Sequence, residues 1–346
     1  MNPYAKLTFS LSLTLGTAIT ISSNHWMMAW TGLEINTLAI IPLISKSHHP
    51  RAIEAAIKYF LVQAAASTLL LFSSMINAWH TGQWDITQLN HPTSSLLLTA
   101  AIAMKLGLVP FHFWFPEVLQ GSPLTTAMLL STVMKFPPIT ILFLTSHSLN
   151  PTLLTTMAIA SAALGGWMGL NQTQIRKILA FSSISHLGWM SIILIYSPKL
   201  TLMTFYIYCT MTGAIFLTLN TTKSLKLSTM MTSWTKTPML NTMLMMTLLS
   251  LAGLPPLTGF LPKWLIIQEL SKQEMTTSAT IIAILSLLSL FFYLRLAYYS
   301  TITLPPNPTN HMKQWHINKP TSTLIATLSF MSTLLLPLSP MTLALI

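Results

Sequence analysis

Acidic residues and cysteine are nearly missing from this chain: six Asp and Glu stand against 17 Lys and Arg, and Cys209 is the one cysteine in 346 residues. A single thiol cannot hold an iron–sulfur cluster or a structural zinc, and it cannot close an internal disulfide. Six scattered carboxylates leave no multi-carboxylate cage for a hard metal ion. The adjacent pair His48-His49 has no further ligand nearby and reads as part of a solvated loop. No G-x-G-x-x-G follows a strand; the nearest stretch, Gly165-Gly166-Trp167-Met168-Gly169, lies inside an apolar run, where small residues serve close helix packing. Charge of both signs is scarce, 7% of residues against about a quarter in a soluble domain. The chain is therefore expected to carry no redox cofactor and no metal of its own.

What is there instead is a series of long apolar runs, with 52% hydrophobic residues. Taking about 20 residues as the length of a span, the sequence predicts an all-α, polytopic membrane protein of about eleven transmembrane helices: Leu7–Ile21, Trp26–Ile44, Tyr59–Trp79, Ser95–Phe115, Leu124–Leu144, Leu153–Leu170, Ile178–Tyr196, Leu200–Leu219, Met239–Ile267, Ile281–Tyr299 and Leu324–Leu345. The connections are too short for a soluble domain. The start resembles neither a cleavable signal nor an Arg-rich transit peptide, so insertion is expected where the chain is made. The first span, with Thr8, Ser10, Ser12, Thr14 and Thr17, is polar enough to suggest that protein covers much of its surface.

A net charge of +11 invites a nucleic-acid reading, but its distribution excludes one. Lys6, Lys46, Arg51, Lys58, Arg176, Lys177, Lys223, Lys226, Lys236, Lys313 and Lys319 fall on the face of the N-terminus, and only Lys199 and Lys272 fall opposite. That asymmetry is a topology signal of the positive-inside kind.

Four cations remain within the spans: Lys105, Lys135, Lys263 and Arg295. An ammonium in hydrocarbon is costly, so a lysine there faces protein or a water-filled cavity and marks a candidate functional site. Lys105 stands in Ala103-Met104-Lys105-Leu106-Gly107-Leu108-Val109-Pro110, an apolar run that breaks at Gly-x-x-Pro. Proline removes an N–H and frees carbonyls one turn earlier, and irregular backbone at that depth is tolerated only where it is buried or lines a cavity. Lys135 sits beside the pair Pro137-Pro138. Lys263 follows a second interruption, Gly253-Leu254-Pro255-Pro256, and the alternative for it is snorkelling to the loop Gln268–Lys272. For Arg295, near a span end, snorkelling is the favoured reading. Glu34 lies mid-span and needs a partner; the sharper reading is that it faces Lys105, the plainer one that it stays protonated. His112, two residues past Pro110, and His186, within Ser182-Ser183-Ile184-Ser185-His186, are candidate relays or else packing groups hydrogen-bonded between helices.

The two interruptions fall in the fourth and ninth spans. An offset of five reverses direction, so the expected architecture is two inverted five-helix repeats, each with a broken helix, plus a C-terminal helix: 1–148, 149–300, and a loop with a terminal helix at 301–346. Paired interrupted spans of that kind mark ion sites in transporters. Protons suit these residue types better than metal ions. Withdrawal from water favours the neutral form of an amine and a nearby carboxylate favours the charged form, so a shift of Glu34 relative to Lys105 would switch the amine between holding and releasing a proton.

Four stretches carry a resemblance: Trp30-Thr31-Gly32-Leu33-Glu34-Ile35-Asn36, Lys105–Glu117, Phe181–Gly188, and Leu251-Ala252-Gly253-Leu254-Pro255-Pro256-Leu257-Thr258-Gly259-Phe260. Together they resemble the mitochondrially encoded NADH dehydrogenase subunit 2 family, the antiporter-like membrane-arm subunits of respiratory complex I, over essentially the whole chain. The resemblance implies a multi-pass subunit of NADH:ubiquinone reductase in the inner mitochondrial membrane, coupling electron transfer to proton translocation. It implies a matrix-facing N-terminus and basic face and a C-terminus on the intermembrane side. It also implies a proton path through Glu34, Lys105, Lys135 and Lys263, alternately hydrated half-channels, and other complex I subunits as partners, with lipids, cardiolipin among them, at the surface. NADH, FMN, iron–sulfur clusters and ubiquinone would belong to other subunits. Bacterial members carry three more N-terminal spans, and about eleven spans fits the shortened animal form. A free-standing cation/proton antiporter and a structural scaffold without its own proton path are the alternatives.

Overall fold

A computed structural model describes residues 2–234, 237–301 and 322–339. Lys236, Lys313, Lys319, the loop around Leu304-Pro305-Pro306 and the end of the eleventh expected span lie outside the described residues. In chain order the helices are α1 (Pro3–Ser22), α2 (Trp26–Ile44), α3 (Pro50–Thr81), α4 (Pro92–Leu106), α5 (Trp114–Gly121), α6 (Leu124–Ser131), α7 (Phe136–Leu144), α8 (Pro151–Gly169), α9 (Ile175–Ile193), α10 (Pro198–Thr222), α11 (Leu227–Ser233), α12 (Pro238–Ala252), α13 (Phe260–Lys272), α14 (Thr276–Thr301) and α15 (Thr323–Leu334). Among the described residues there is no strand, and six helical segments are long and apolar enough to cross a membrane. The chain is a multi-pass membrane protein. Each expected apolar run is met by a helix or by two halves of an interrupted one; the short α11 was not expected.

The chain forms two compact units, Met1–Ser161 and Ala162–Ile346. In the first, α3 packs against α2, α4 and α5, and α1 against α2. The α1–α2 crossing is close because Gly16 and Gly32 face each other's backbone: a Cβ on Gly32 would lie 2.9 Å from the Gly16 carbonyl oxygen. Within this chain only Leu13, Gly16 and Thr20 of α1 are buried. Its hydroxyls need no outside partner. Thr8, Ser10, Ser12, Thr14 and Thr17 each donate to the carbonyl three residues back, at 2.8–2.9 Å. In the second unit α10 contacts α9, α12, α13 and α15. Here Arg295 has fixed protein acceptors. Its guanidinium fork donates to the carbonyls of Leu170 and Gln172, just past the end of α8, the second at 2.6 Å. Helix termini leave such carbonyls without intrahelical donors, and a planar two-armed cation satisfies both at once.

Each unit contains one interruption of the same local form. The helices α4 and α12 are both 15 residues long, both begin with proline, and both stop at a left-handed glycine, Gly107 (φ 77°) and Gly253 (φ 82°). Glycine is the residue that takes this conformation without a Cβ penalty. The chain then runs irregularly, with the Val109-Pro110 peptide cis, before α5 and α13 resume. A third irregularity lies in the fifth span, where a 3₁₀ turn at Val133–Lys135 separates α6 from α7 just before Pro137-Pro138.

Candidate functional site

In the first unit the break positions a lysine. Lys105 is the penultimate residue of α4 and only 6% exposed. The Met104 carbonyl freed beside it accepts a hydrogen bond from the Trp114 indole Nε1 on α5, at 3.1 Å. The backbone is thus satisfied by a neutral donor from the far side of the break, and the amine is left over. Lys105 Nζ is buried with no hydrogen-bond partner among the described residues. It lines a cavity of ≈ 20 Å³ shared with Lys135, Gln63, Thr37, Tyr59 and Trp114. That is room for a water molecule, and an ammonium beside such a space can exchange its proton with the water there.

Lys135, on the 3₁₀ turn of the fifth span, is 3% exposed and reaches the same cavity. Its Nζ stands 4.7 Å over the centroid of the Phe115 ring, a cation–π contact that offsets part of its desolvation. Two amines expected from separate spans are therefore brought together. Glu34 stands behind one wall. Its carboxylate interacts electrostatically with Lys105, yet among the described residues the two form no ion pair within 4.0 Å. Thr37, on the cavity wall, places its hydroxyl 2.9 Å from the Glu34 carbonyl and 3.2 Å from its carboxylate. The expectation that Glu34 faces Lys105 thus becomes an indirect arrangement, a carboxylate one hydroxyl removed from the space that the amines share. His112 is 1% exposed, lies tilted against the Phe113 ring at 4.2 Å between centroids and does not line this cavity. Its ring nitrogens lack a well-formed hydrogen bond, although the Pro110 carbonyl is near.

The second unit uses its break differently. Lys263 lies on α13, after the interruption, and its Nζ turns back to donate to the Ala252 carbonyl at 2.7 Å. The head group thus points to the freed backbone and not toward Gln268–Lys272, the stretch expected as a loop, which is the last part of α13. The close approach needs glycine opposite: a Cβ on Gly253 would stand 2.9 Å from Lys263 Cδ and Nζ. A second cavity, also ≈ 20 Å³, is lined by Lys263, His186, Trp189, Thr204, Tyr208 and Gly259. The Trp189 ring lies 5.9 Å from the lysine Nζ and the Tyr208 ring 5.6 Å from His186. The serines around His186 donate to carbonyls of their own helix, Ser182 to Leu179 and Ser183 to Ala180, and His186 shares a cavity with Lys263.

Sequence reasoning missed Gln63, Tyr59 and Thr37. Of these Gln63 left a trace in the sequence, an amide inside the run Phe60-Leu61-Val62-Gln63-Ala64 whose polarity recurs as Ser67, Ser74 and Asn77 at helical spacing. Buried to 3% exposure, it has an Nε2 without a partner. Among the described residues no group of three or more His, Cys, Asp or Glu could hold a metal ion. The triad Glu54, Lys58 and Glu117 pairs at the start of α3, with Lys58 2.5 Å from both carboxylates. Glu117 belongs to α5.

Interrupted helices in each unit, each with a lysine beside a water-sized cavity, define an antiporter-like polytopic membrane protein. Comparison with known proteins agrees. Residues 23–289 match the family described as NADH:quinone oxidoreductase/Mrp antiporter, TM, and residues 290–343 match the NADH dehydrogenase subunit 2 C-terminus. The chain is 78% identical to NADH-ubiquinone oxidoreductase chain 2 of Struthio camelus over 99% of both chains, and 75% identical to that of Coturnix japonica over the same share. It therefore belongs to the NADH-ubiquinone oxidoreductase chain 2 family. Among solved structures it is similar to a chain of respiratory complex I from Thermus thermophilus, with a TM-score of 0.85 at 25% identity over 97% of this chain and 80% of that one. A chain of the Mrp complex from Dietzia sp. shares the fold, with a TM-score of 0.82 at 18% identity over 97% of this chain and 75% of that one.

Proposed function

We propose that this chain is a proton-translocating membrane-arm subunit of respiratory complex I in the mitochondrial inner membrane. The observation that carries the reading is the buried, unpartnered Lys105 amine on a water-sized cavity that Lys135 also lines. Its relatives at 75–78% identity, named NADH-ubiquinone oxidoreductase chain 2, support the assignment to that complex. NADH, FMN, the iron–sulfur clusters and ubiquinone are bound by other subunits, and electron transfer there drives charge displacement here. Glu34, Lys105, Lys135 and Lys263 hold and pass the protons, with His112 and His186 as relays. The basic loops and the N-terminus face the matrix and the C-terminus faces the intermembrane space. Neighbouring complex I subunits cover part of the surface, and membrane lipids, cardiolipin included, cover the rest.

Energetically the proton path relies on amines whose charge is costly to keep in a low-dielectric interior. When Glu34 or a proton arriving nearby changes the local field, a Lys105 amine with no fixed partner releases its proton to the adjacent water, and Lys135 is the next acceptor on the same cavity. The test is Lys105→Met in the assembled complex, reconstituted in liposomes. Proton uptake per NADH oxidised should fall while assembly survives, and an unchanged ratio in an assembled Lys105→Met complex refutes the role. Native mass after mild detergent extraction separates this reading from a free-standing antiporter, which would migrate alone.

A further inference from the structure

Gln63 lies at one end of a polar line that the lysine cavity does not explain. Residues Gln63, Ser67, Leu70, Ser74, Asn77 and Thr81 recur every three or four positions along α3 and so share one face of that helix. Over 18 residues at ~1.5 Å each, the line covers about 27 Å, from the cavity of Lys105 and Lys135 to the last residue of α3. Gln63, Ser67, Ser74 and Asn77 are all at most 3% exposed. This burial is unlike that of an amphipathic surface helix, whose polar face meets solvent.

The hydrogen bonding along the face is incomplete at both ends. Gln63 Nε2 and Asn77 Oδ1 are buried without partners, a donor at the cavity end and an acceptor near the helix end. Buried polar groups of this kind are normally met by ordered water. Between them Ser67 and Ser74 donate to their own helix, to Ala64 and Leu71, at 2.9 and 2.7 Å. That commits each hydroxyl proton but leaves each oxygen able to accept. Asn77 Nδ2 donates to the Gln88 carbonyl at 2.9 Å, and Thr81 Oγ1 donates to the Asn77 carbonyl at 2.7 Å, which anchors the outer end to the loop that follows α3. The one apolar member is Leu70, fully buried at the middle of the face.

We propose that this face of α3 is a proton half-channel joining the Lys105 and Lys135 cavity to the side of the membrane where α3 ends, with Leu70 as its gate. The proposal rests on the reading of Lys105 as a proton-holding group and adds its route to bulk water. Gln63 orders water at the cavity mouth, the serine oxygens and Asn77 Oδ1 accept from water in turn, and Leu70 breaks the file by dewetting until the cavity charge changes. Hydrophobic constrictions gate in this way.

The test uses the whole complex in liposomes, with three readings: NADH oxidation, protons moved per NADH, and passive proton leak without substrate. Leu70→Ser should raise the leak about tenfold, the effect of removing ~1.4 kcal/mol of barrier, with NADH oxidation retained. Leu142→Ser, at another buried leucine of the same unit, should not. Ser74→Ala should lower protons moved per NADH, whereas Ser161→Ala, at an equally buried serine of α8 that bonds only its own helix, should leave it unchanged. Both serine changes are small enough to assemble. If Leu70→Ser leaks no more than Leu142→Ser, or the two serine variants behave alike, the half-channel is overturned. Should that happen while Lys105→Met still lowers pumping, the wider function stands without this route. If Lys105→Met has no effect, the wider function itself fails.

Discussion

The two breaks make a quantitative prediction, because Gly107 and Gly253 share a backbone conformation and differ in what stands opposite. Alanine at either must hold a left-handed φ, at about 1–2 kcal/mol. At Gly107 the added methyl meets only ordinary contacts, Phe115 Cβ at 3.5 Å and Trp114 Cζ2 at 3.6 Å, so the backbone cost is the whole cost. At Gly253 it lands 2.9 Å from Lys263 Cδ and Nζ. A flexible side chain can retreat, but only by giving up the 2.7 Å bond from Nζ to the Ala252 carbonyl. A hydrogen bond to a charged group contributes about 1.5–3 kcal/mol, so Gly253→Ala should cost about twice what Gly107→Ala costs. In a Lys263→Ala background the excess should vanish and only the backbone cost remain, a double-mutant cycle that isolates the contact. The readout is the midpoint of heat-induced release of this chain from the assembled complex on native gels. Equal midpoints for the two glycine variants would refute the reasoning, and so would an excess that persists without the lysine. The same displacement should lower protons moved per NADH in Gly253→Ala.

Three further outcomes follow from named contacts. Trp114→Phe removes the donor to the Met104 carbonyl and should cost about 1–3 kcal/mol as an unsatisfied buried acceptor, seen as a lower release midpoint. Arg295→Lys cannot serve both the Leu170 and Gln172 carbonyls; one acceptor is left bare, with a loss of about 1–3 kcal/mol on the same assay. Gly259→Ala would place a Cβ 1.7 Å from the Ser250 carbonyl oxygen, an overlap with backbone that side-chain motion cannot relieve. Overpacking of that severity should cost roughly 3 kcal/mol or more, and little assembled complex should be recovered by immunoblot of native gels.

Much of this architecture was legible because the membrane restricts what a sequence can do. Runs such as Trp26–Ile44 have one available structure in lipid, and that helix begins and ends where its apolar run does. The breaks were legible for the same reason, since Gly-x-x-Pro frees backbone that must be buried or hydrated. What escaped were facts of three-dimensional partnership. Arg295 was assigned to the nearest interface by depth, but the acceptors that hold it lie more than 120 residues earlier in the chain. The hydroxyls of α1 were read as a sign of protein cover, but each donates to its own backbone, so their polarity alone does not require a partner. Gln63 was passed over because one amide in an apolar run is commonplace. Only the recurrence through Ser67, Ser74 and Asn77, together with its missing partner, separates it from helix glue.

The two breaks distribute their amine unequally, and that has a kinetic consequence. In the first unit the lysine precedes the break and an indole occupies the vacant carbonyl; in the second the lysine follows the break and occupies that carbonyl itself. One ammonium is idle at rest and able to answer a passing field at once. The other is latched, and must unhook from the main chain before it can trade its proton. On the proton path proposed above, such a pair has a fast member and a slow member, and the latched one is expected to set the slower step.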